Sequence, residues 1–205
     1  MTQTTDIGKI IIFTAPSGAG KSTLLEITSK RFDNCLPTIS HTSRTKRLRE
    51  IDGQHYHFKS SEEFKQLIKK EYFLEWEEVY NGDYYGTSKN EFPRIWNLGK
   101  IPLMDVDIQG ALNIKKMYGE NVFIIGVDVP GKDILERLEL LEIRLLNRGE
   151  NKEKIKSRLA KASTEFDLML HTEKEAIDLI VINDMLSNSE KIVCNAIVEF
   201  LSVSA

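Results

Sequence analysis

The chain has 205 residues, enough for one α/β domain with a substantial hydrophobic core. Its formal net charge of −3 argues against a general affinity for nucleic acid, so anion binding has to come from local clusters of basic residues. The two cysteines, Cys35 and Cys194, are far apart and lack metal-ligand spacing, so we expect reduced thiols and no disulfide framework.

The N-terminal segment MTQTTDIGK lacks the charged and apolar regions of a signal peptide. No apolar run approaches the roughly 18 residues that a membrane-spanning helix needs. We therefore expect a cytoplasmic protein without a membrane segment, and the sequence leaves open whether it is a monomer or a homo-oligomer.

The first predicted element is a strand over residues 9–14, where β-branched and aromatic side chains follow one another without alternation. Such a run is typical of a strand buried on both faces. The strand leads into APSGAGKST at residues 15–23, which follows the phosphate-binding pattern G-x-x-x-x-G-K-[ST] except at its first position. That position holds Ala15 where the pattern has glycine.

Each part of this loop has a physical role in binding phosphate. Gly18 and Gly20 allow backbone N–H groups to turn inward, Lys21 adds a positive charge, and the Ser22 hydroxyl is suited to Mg²⁺. Glycine is needed at the first position only if φ is positive or another group approaches closely. We expect Ala15 to be harmless, because an alanine with negative φ leaves a strand without strain and the following proline favours extended geometry.

Three further segments resemble the first strand, at residues 101–106, 122–127 and 179–182. Helical patterns separate them, at residues 22–32, 108–118, 132–148, 152–170 and 189–201. Buried strands that alternate with helices predict an α/β fold with a parallel, doubly wound sheet core and helices on both faces.

Residues 38–86 depart from this alternation and predict a β-rich insert. They contain a strand-like patch around His57, a short helix after Ser61 and a hairpin whose turn is NGD at residues 81–83. A second irregular zone, residues 144–158, is basic and helical. A core with two such appendages is typical of an enzyme that closes over two substrates.

A basic cluster lies at the start of the insert, within SHTSRTKRLREIDGQHYHF. Its members are Arg44, Lys46, Arg47 and Arg49. Such a run is often only a solvated surface. Here the arginines alternate with serine, threonine and tyrosine donors in a chain that already has a phosphate loop, which favours a second phosphate site.

Taken in order, seven motifs make the chain resemble the guanylate kinase family, whose members phosphorylate GMP with ATP. The motifs are APSGAGKST, SHTSRTKR, DGQHYHF, FLEW, GDYYGT, DVDIQG and VIND, and they span nearly the whole chain. The resemblance implies a P-loop nucleoside monophosphate kinase with Mg²⁺ as cofactor, ATP as donor and GMP as acceptor, acting in purine metabolism. In this family alanine is an accepted variant of the first loop position.

The resemblance also implies an organisation of the single domain, residues 1–205. The core would comprise residues 1–36, 97–130 and 171–205. The GMP-binding insert would be residues 37–96, and residues 131–170 would form a helical lid with its flanking helices.

The motifs carry the family's site residues onto this chain. ATP binding would involve Ala15, Pro16, Ser17, Gly18, Ala19, Gly20, Lys21, Ser22, Thr23 and Asn183. The GMP phosphate would be held by Arg44, Arg47, Tyr56 and Tyr85, and guanine would be read by Ser40, Glu75, Thr87 and Asp107. The catalytic group would be Lys21, Arg44, Arg144, Arg148 and Arg158, and the metal would be bound by Ser22 and Asp105.

The chemistry of guanine agrees with the role of Glu75, because one carboxylate can accept from both N1–H and N2–H₂. Several alternatives stay open. Asp105 could be a helix cap instead of a metal ligand, and Asn183 could be a turn residue. Arg137 competes with Arg144 for the role of the third lid arginine, because the segment before the lid is longer than the family pattern.

Two other functions compete with this interpretation. One is a guanylate-kinase-like binding module of a membrane-associated scaffold, but such modules have degraded phosphate loops and this loop is intact. The other is a kinase for a different nucleotide, against which Glu75 and Ser40 argue. The three histidines of the insert, His41, His55 and His57, lack metal-ligand spacing and are expected to be structural.

Overall fold

A computed structural model describes residues 8–79 and 82–202 of the chain. Its core is a five-stranded sheet in which every neighbouring pair is parallel. Across the sheet the order is β2 (Cys35–Pro37), β7 (Ile101–Asp105), β1 (Ile10–Thr14), β8 (Val122–Asp128) and β9 (Leu179–Ile182). All five residues of the central strand β1 are buried. The predicted parallel α/β core is confirmed.

Apart from helix α2 (Ser61–Lys69), which packs on a second sheet, the described residues form six α-helices. They are α1 (Lys21–Arg31), α3 (Glu91–Trp96), α4 (Ile108–Tyr118), α5 (Ile134–Asn147), α6 (Lys152–Asp167) and α7 (Leu186–Ser202). Asp107, Asp133 and Asn151 cap α4, α5 and α6, because each side chain accepts from a backbone N–H three residues later. The helix predicted over residues 152–170 is present: it is α-helical to Asp167 and continues as a π-helical turn at Leu168–Thr172.

The insert forms a second sheet with the strand order β4 (His57–Phe58), β3 (His41–Thr42), β6 (Asp83–Ser88) and β5 (Phe73–Val79). Helix α2 (Ser61–Lys69) begins with a capping box between Ser60 and Glu63 and places Phe64 in a small separate core with Phe73 and Tyr84. The predicted hairpin is present, since β5 and β6 pair antiparallel.

Some sequence predictions fall outside the described residues. Asn81, the first residue of the predicted NGD turn, is one of them, and so are the first seven residues of the N-terminal segment. Of the described helices, none is long and apolar enough to cross a membrane. Cys35 and Cys194 are both free and buried.

Candidate active site

A cleft of about 770 Å³ is lined by the loop after β1, the end of β7, the insert and helix α6. The cleft brings together most of the predicted site residues from both halves of the proposed reaction. Those that line it are Ala15, Pro16, Ser17, Gly18, Gly20, Lys21, Ser22, Thr23, Ser40, Arg44, Arg47, Tyr56, Glu75, Tyr85, Asp105, Asp107, Arg148 and Arg158.

The backbone of the phosphate loop has the conformation that its glycines permit. Gly18 and Gly20 have φ values of 97° and 102°, in the left-handed region. A Cβ atom at Gly20 would also clash with the side-chain amide of Asn183. Glu71 is the one described residue other than glycine with positive φ, so Ala15 has a backbone that alanine adopts without strain.

A three-residue polar cluster lies where the loop enters α1. The Lys21 ammonium is 2.7 Å from Oδ1 of Asp105, and the Ser22 hydroxyl donates to Oδ2 of the same carboxylate at 2.8 Å. Lys21 also donates to the carbonyl of Val106 at 3.2 Å. Parallel pairing of β1 with β7 places Phe13 opposite Asp105, which brings the end of β7 beside the loop.

Behind the loop, two residues bind its backbone. The Asn183 amide donates to the carbonyl of Ala19 at 2.8 Å, and Arg144 donates to the same carbonyl at 3.2 Å and to the carbonyl of Asn183 at 2.9 Å. Burial lowers the pKa of Arg144, and the nearby charge of Arg148 lowers it further. Both Asn183 and Arg144 are placed to support the shape of the loop.

Helix α6 contacts the phosphate loop through Arg158. Nη1 of Arg158 donates to the Ser17 hydroxyl at 2.6 Å and to Glu150 at 3.0 Å. Arg148 is the exposed C-cap residue of α5 and lines the cleft. Two arginines of the lid zone therefore face the cleft.

On the insert, Arg44 is held in place by several acceptors. Its guanidinium makes a two-point ion pair with Glu50, at 2.9 and 2.7 Å, and Nε donates to the Tyr85 hydroxyl at 3.0 Å. The hydrogen bond from Arg44 lowers the pKa of Glu50 to about 2. The backbone N–H of Arg47 donates to the same carboxylate at 2.7 Å, and the rings of Tyr56 and Phe58 lie beside the Arg44 guanidinium.

A group of polar side chains lies further along the insert, where β5 pairs with β6. Glu75 is in register with Thr87, which is fully buried, and the Thr87 hydroxyl is 3.1 Å from that of Ser40. Burial raises the pKa of Glu75 to about 7, and hydrogen bonding to Thr87 opposes the shift. The negative charge of Asp107 raises that pKa further. A carboxylate with hydroxyl neighbours in a desolvated pocket can read paired N–H donors.

The cleft thus joins a loop with the phosphate-binding sequence pattern, the cationic side chains of Arg44 and Arg47 and the carboxylate of Glu75. The family model that matches residues 7–200 of the chain is that of guanylate kinase. The chain belongs to the guanylate kinase family. As a member it is a phosphotransferase that converts GMP to GDP with ATP. The prediction that the chain is an enzyme, and not a binding module of a scaffold protein, is confirmed.

Related proteins agree with this family over most of their length. A guanylate kinase from Wolinella succinogenes is 39% identical over 90% of this chain and 81% of its own. One from Bacteroides fragilis strain ATCC 25285 is 39% identical over 95% and 91% of the two chains. A crystal structure of guanylate kinase from Anaplasma phagocytophilum shares the fold, with a TM-score of 0.68 over 96% of this chain and 88% of that chain at 24% identity.

Arg137 and Arg144, the two candidates for the third lid arginine, have different partners in the structure. Arg137 is bound to Asp128, which is 2% exposed, through contacts of 3.0 and 3.2 Å. Its guanidinium therefore neutralises a buried carboxylate at the end of β8. Arg144, two turns later on α5, is the one that contacts the loop.

The three histidines of the insert contact other residues of the insert. The rings of His41 and His57 have centroids 4.6 Å apart, and Nδ1 of His55 accepts from the backbone of Ile51 at 3.0 Å. Among residues 8–79 and 82–202, no group of three or more histidine, cysteine or acidic side chains is arranged to hold a metal.

The sequence analysis missed several residues of the cleft wall or of its support, among them Glu50, Glu77, Lys161 and Glu165. For Glu77, Lys161 and Glu165, the spacing in the sequence does contain a signal. Lys161 and Glu165 follow Arg158 by three and seven residues on α6, so they share its face. Glu77 follows Glu75 by two residues on β5 and so points to the same side.

Proposed function

We propose that this cleft transfers the γ-phosphoryl group of ATP directly to the phosphate of GMP, with the loop holding ATP and the insert holding GMP. The observation that carries the assignment of roles is the presence, in one cleft, of the Lys21–Asp105 cluster and the Arg44–Tyr85 pair. Phosphoryl transfer leaves little covalent work for the protein, so positioning and charge stabilisation supply the rate.

On the donor side, the amides of residues 15–23 and the Lys21 ammonium would bind the β- and γ-phosphates. Asn183 and Arg144 would contribute by holding the carbonyl of Ala19, and thus the loop, in the binding conformation. Arg148 and Arg158 would neutralise charge on the transferring group from the lid. Of Arg137 and Arg144, we assign Arg144 as the third arginine of the catalytic group beside Arg148 and Arg158, because the Arg137 guanidinium is bound to Asp128.

Ser22 and Asp105 fit a Mg²⁺ site in their chemistry, because a hydroxyl and a carboxylate with oxygens 2.8 Å apart are the hard ligands that Mg²⁺ prefers. When bound with ATP, Mg²⁺ neutralises charge on the β- and γ-phosphates. Lys21 supplies the protein's own positive charge at the same place.

On the acceptor side, Arg44, Arg47, Tyr56 and Tyr85 would hold the GMP phosphate. Ser40, Glu75, Thr87 and Asp107 would surround guanine. Glu50 would orient the Arg44 side chain, because the two-point ion pair fixes the plane of the guanidinium. Closure of the lid over both substrates would exclude water, which could otherwise accept the phosphoryl group.

The assignment of GMP to the insert is tested by measuring ADP release with each of AMP, CMP, GMP and UMP, in Mg²⁺ and after its removal with EDTA. We expect GMP to be used at least about a thousandfold better in kcat/KM than AMP, and activity to vanish with EDTA. Equal use of AMP would overturn the assignment of the base pocket, and full activity in EDTA would overturn the metal site.

We further propose that the protein works in the cytoplasm in GMP recycling, without nucleic acid or membrane. Its oligomeric form is a monomer or a homo-oligomer, and light scattering across a concentration series distinguishes the two.

A further inference from the structure

Lys161 of the lid helix α6 contacts carboxylates from three separate parts of the chain. Its ammonium forms an ion pair with Glu77 of β5, lies 3.3 Å from Oδ2 of Asp107 and lies 3.8 Å from Oε1 of Glu165. These partners belong to the insert, to the N-terminus of α4 in the core and to the next turn of α6. One side chain therefore ties the lid to both walls of the cleft.

The charges explain why the lysine is held there. Burial alone would lower the pKa of Lys161, but its contacts with Glu77, Asp107 and Glu165 outweigh this effect and raise it. Without the ammonium, three partly buried carboxylates would face one another, which is costly at low dielectric. The lysine is thus the cation that allows this acidic wall to form.

The contact also fixes Asp107. Oδ1 of Asp107 accepts from the backbone N–H of Gly110 at 2.8 Å, so the helix cap occupies one of its oxygens. Lys161 takes the other oxygen, Oδ2. Asp107 is consequently held at both ends, next to the pocket in which Glu75 lies.

Two residues of α6 contact different sides of the cleft. Arg158 contacts the phosphate loop through Ser17, whereas Lys161, one turn later, contacts Glu77 and Asp107 beside the base pocket. Loss of the lysine should therefore disturb the GMP side of the cleft more than the ATP side.

We propose that Lys161 is a positioning residue for GMP, which aligns Asp107 and docks the insert against the lid through Glu77. This inference rests on the proposed function, because it assumes that the insert binds GMP. It adds a lid residue outside the predicted site to the determinants of GMP affinity.

The test compares Lys161→Met, which keeps most of the length of the side chain and removes its charge, with Lys156→Met, which removes a lysine at an exposed position of the same helix. Lys161→Met should raise the KM for GMP about tenfold while the KM for ATP changes less than about twofold. Lys161→Arg should restore the KM for GMP to within about threefold, since it restores the charge. Lys156→Met should match the wild type.

A double-mutant cycle with Glu77→Gln tests the proposed contact itself. If Glu77 and Lys161 act together, the double variant should have a KM for GMP no higher than that of Lys161→Met. Additive effects, equal rises in both KM values, or a failure of Lys161→Arg to rescue would overturn the proposal. Glu77→Gln and Lys161→Arg keep the test valid if Lys161→Met does not fold.

The outcome is separable from that of the proposed function. A wild-type protein that does not use GMP would contradict the proposed function. A wild-type protein that uses GMP, together with a Lys161→Met variant of unchanged KM, would contradict this inference alone.

Discussion

The carboxylate of Asp105 is shared between Lys21 and Ser22, with its Oδ1 2.7 Å from the ammonium and its Oδ2 2.8 Å from the hydroxyl. The three side chains come from the loop and from the neighbouring strand β7, which is paired with β1. The pairing of β1 with β7 therefore positions the Lys21 charge that would stabilise a transferring phosphate. The Lys21 side chain is not part of the hydrophobic core.

Replacement of Lys21 by methionine should remove activity without unfolding the protein. We expect kcat to fall at least about a hundredfold, as for other losses of a preorganised charge at a developing anion. Lys30→Met is the matched control, because Lys30 lies on the same helix and forms only an exposed ion pair with Glu26. If Lys21→Met kept kcat within about tenfold, or about 1.4 kcal/mol of barrier, the loop would have no part in catalysis.

The position of Arg44 should depend on Glu50. Glu50→Gln removes the charge that holds the guanidinium at two points, so we expect the KM for GMP to rise about fivefold or more while the KM for ATP stays constant. Glu62→Gln, an exposed glutamate of the insert, serves as control. Steady-state kinetics with each substrate varied in turn measures the effect. A KM for GMP unchanged in Glu50→Gln would mean that Arg44 needs no such support.

Much of this arrangement could be predicted from local sequence because its causes are local. The buried run of β1, the loop spacing up to Ser22 and the NGD signal for the hairpin each depend on residues that are near in sequence. Strand β2 (Cys35–Pro37) escaped prediction because three residues ending in proline give no periodic signal. Family membership rests on the order of several motifs, which no single motif could supply.

The rest depends on how distant segments meet. Arg137 and Arg144 are seven residues apart, so both lie on one face of α5 and their sequence surroundings do not distinguish them. Their partners do, because Asp128 ends β8 beside one and Ala19 lies beside the other. Likewise, the pairing of Lys161 with Glu77 requires the docking of lid and insert, which hydrophobic periodicity does not encode.

The alanine at the first loop position should be functionally neutral. Ala15→Gly should change kcat/KM for ATP by less than about threefold, because Ala15 does not have the positive φ that would require glycine. Gly20→Ala should be severe, since φ is 102° there and the new methyl would meet the Asn183 amide. Gly99→Ala isolates the backbone effect, because Gly99 has φ of 67° and no atom within 4 Å of the added carbon.

We expect Gly99→Ala to lower the free energy of unfolding by about 1 kcal/mol with unchanged kinetics. Gly20→Ala should lose activity in addition. Chemical denaturation and steady-state assays on the three variants decide the matter, and a Gly20→Ala enzyme as active as Gly99→Ala would contradict the role of the loop geometry.

Glu165 should make the protein less stable as the pH rises. Burial raises its pKa to about 7 in the folded chain, although the charges of Lys161 and Lys21 oppose the shift. A carboxyl group with a raised pKa in the folded state contributes stability below its ordinary pKa of about 4.5, and that contribution is lost as the pH rises to about 7. Glu165→Gln should therefore gain stability relative to the wild type between these pH values, by up to roughly 3 kcal/mol.

Urea denaturation at pH 5 and pH 8 measures this difference. Glu142→Gln, at an exposed position of α5, should leave the pH dependence of the wild type unchanged. A Glu165→Gln variant whose advantage is the same at both pH values would show that Glu165 does not titrate differently in the folded and unfolded chains.

Glu75 should set both the base preference and the acid limb of activity. The ionised carboxylate can accept from N1–H and N2–H₂ of guanine, whereas AMP would present an acceptor at N1 and leave the charge unpaired. Glu75→Gln turns one of the two acceptors into a donor, so it should lose more activity with GMP than with AMP. We expect the GMP-to-AMP ratio of kcat/KM to fall at least about thirtyfold. Glu78→Gln is the matched control, because Glu78 points to the other face of β5 and binds the Tyr84 hydroxyl.

The pH profile gives an independent readout of the same group. Because the pKa of Glu75 is raised to about 7, its carboxylate is increasingly protonated below that pH. The kcat/KM for GMP of the wild type should therefore fall as the pH drops below 7. Glu75→Gln should lose the part of this fall that Glu75 causes and keep the part that comes from protonation of the GMP phosphate, whose second pKa is about 6. An unchanged base ratio together with an unchanged acid limb in Glu75→Gln would show that Glu75 does not read guanine, and the base pocket would have to be assigned to Ser40, Thr87 and Asp107 alone.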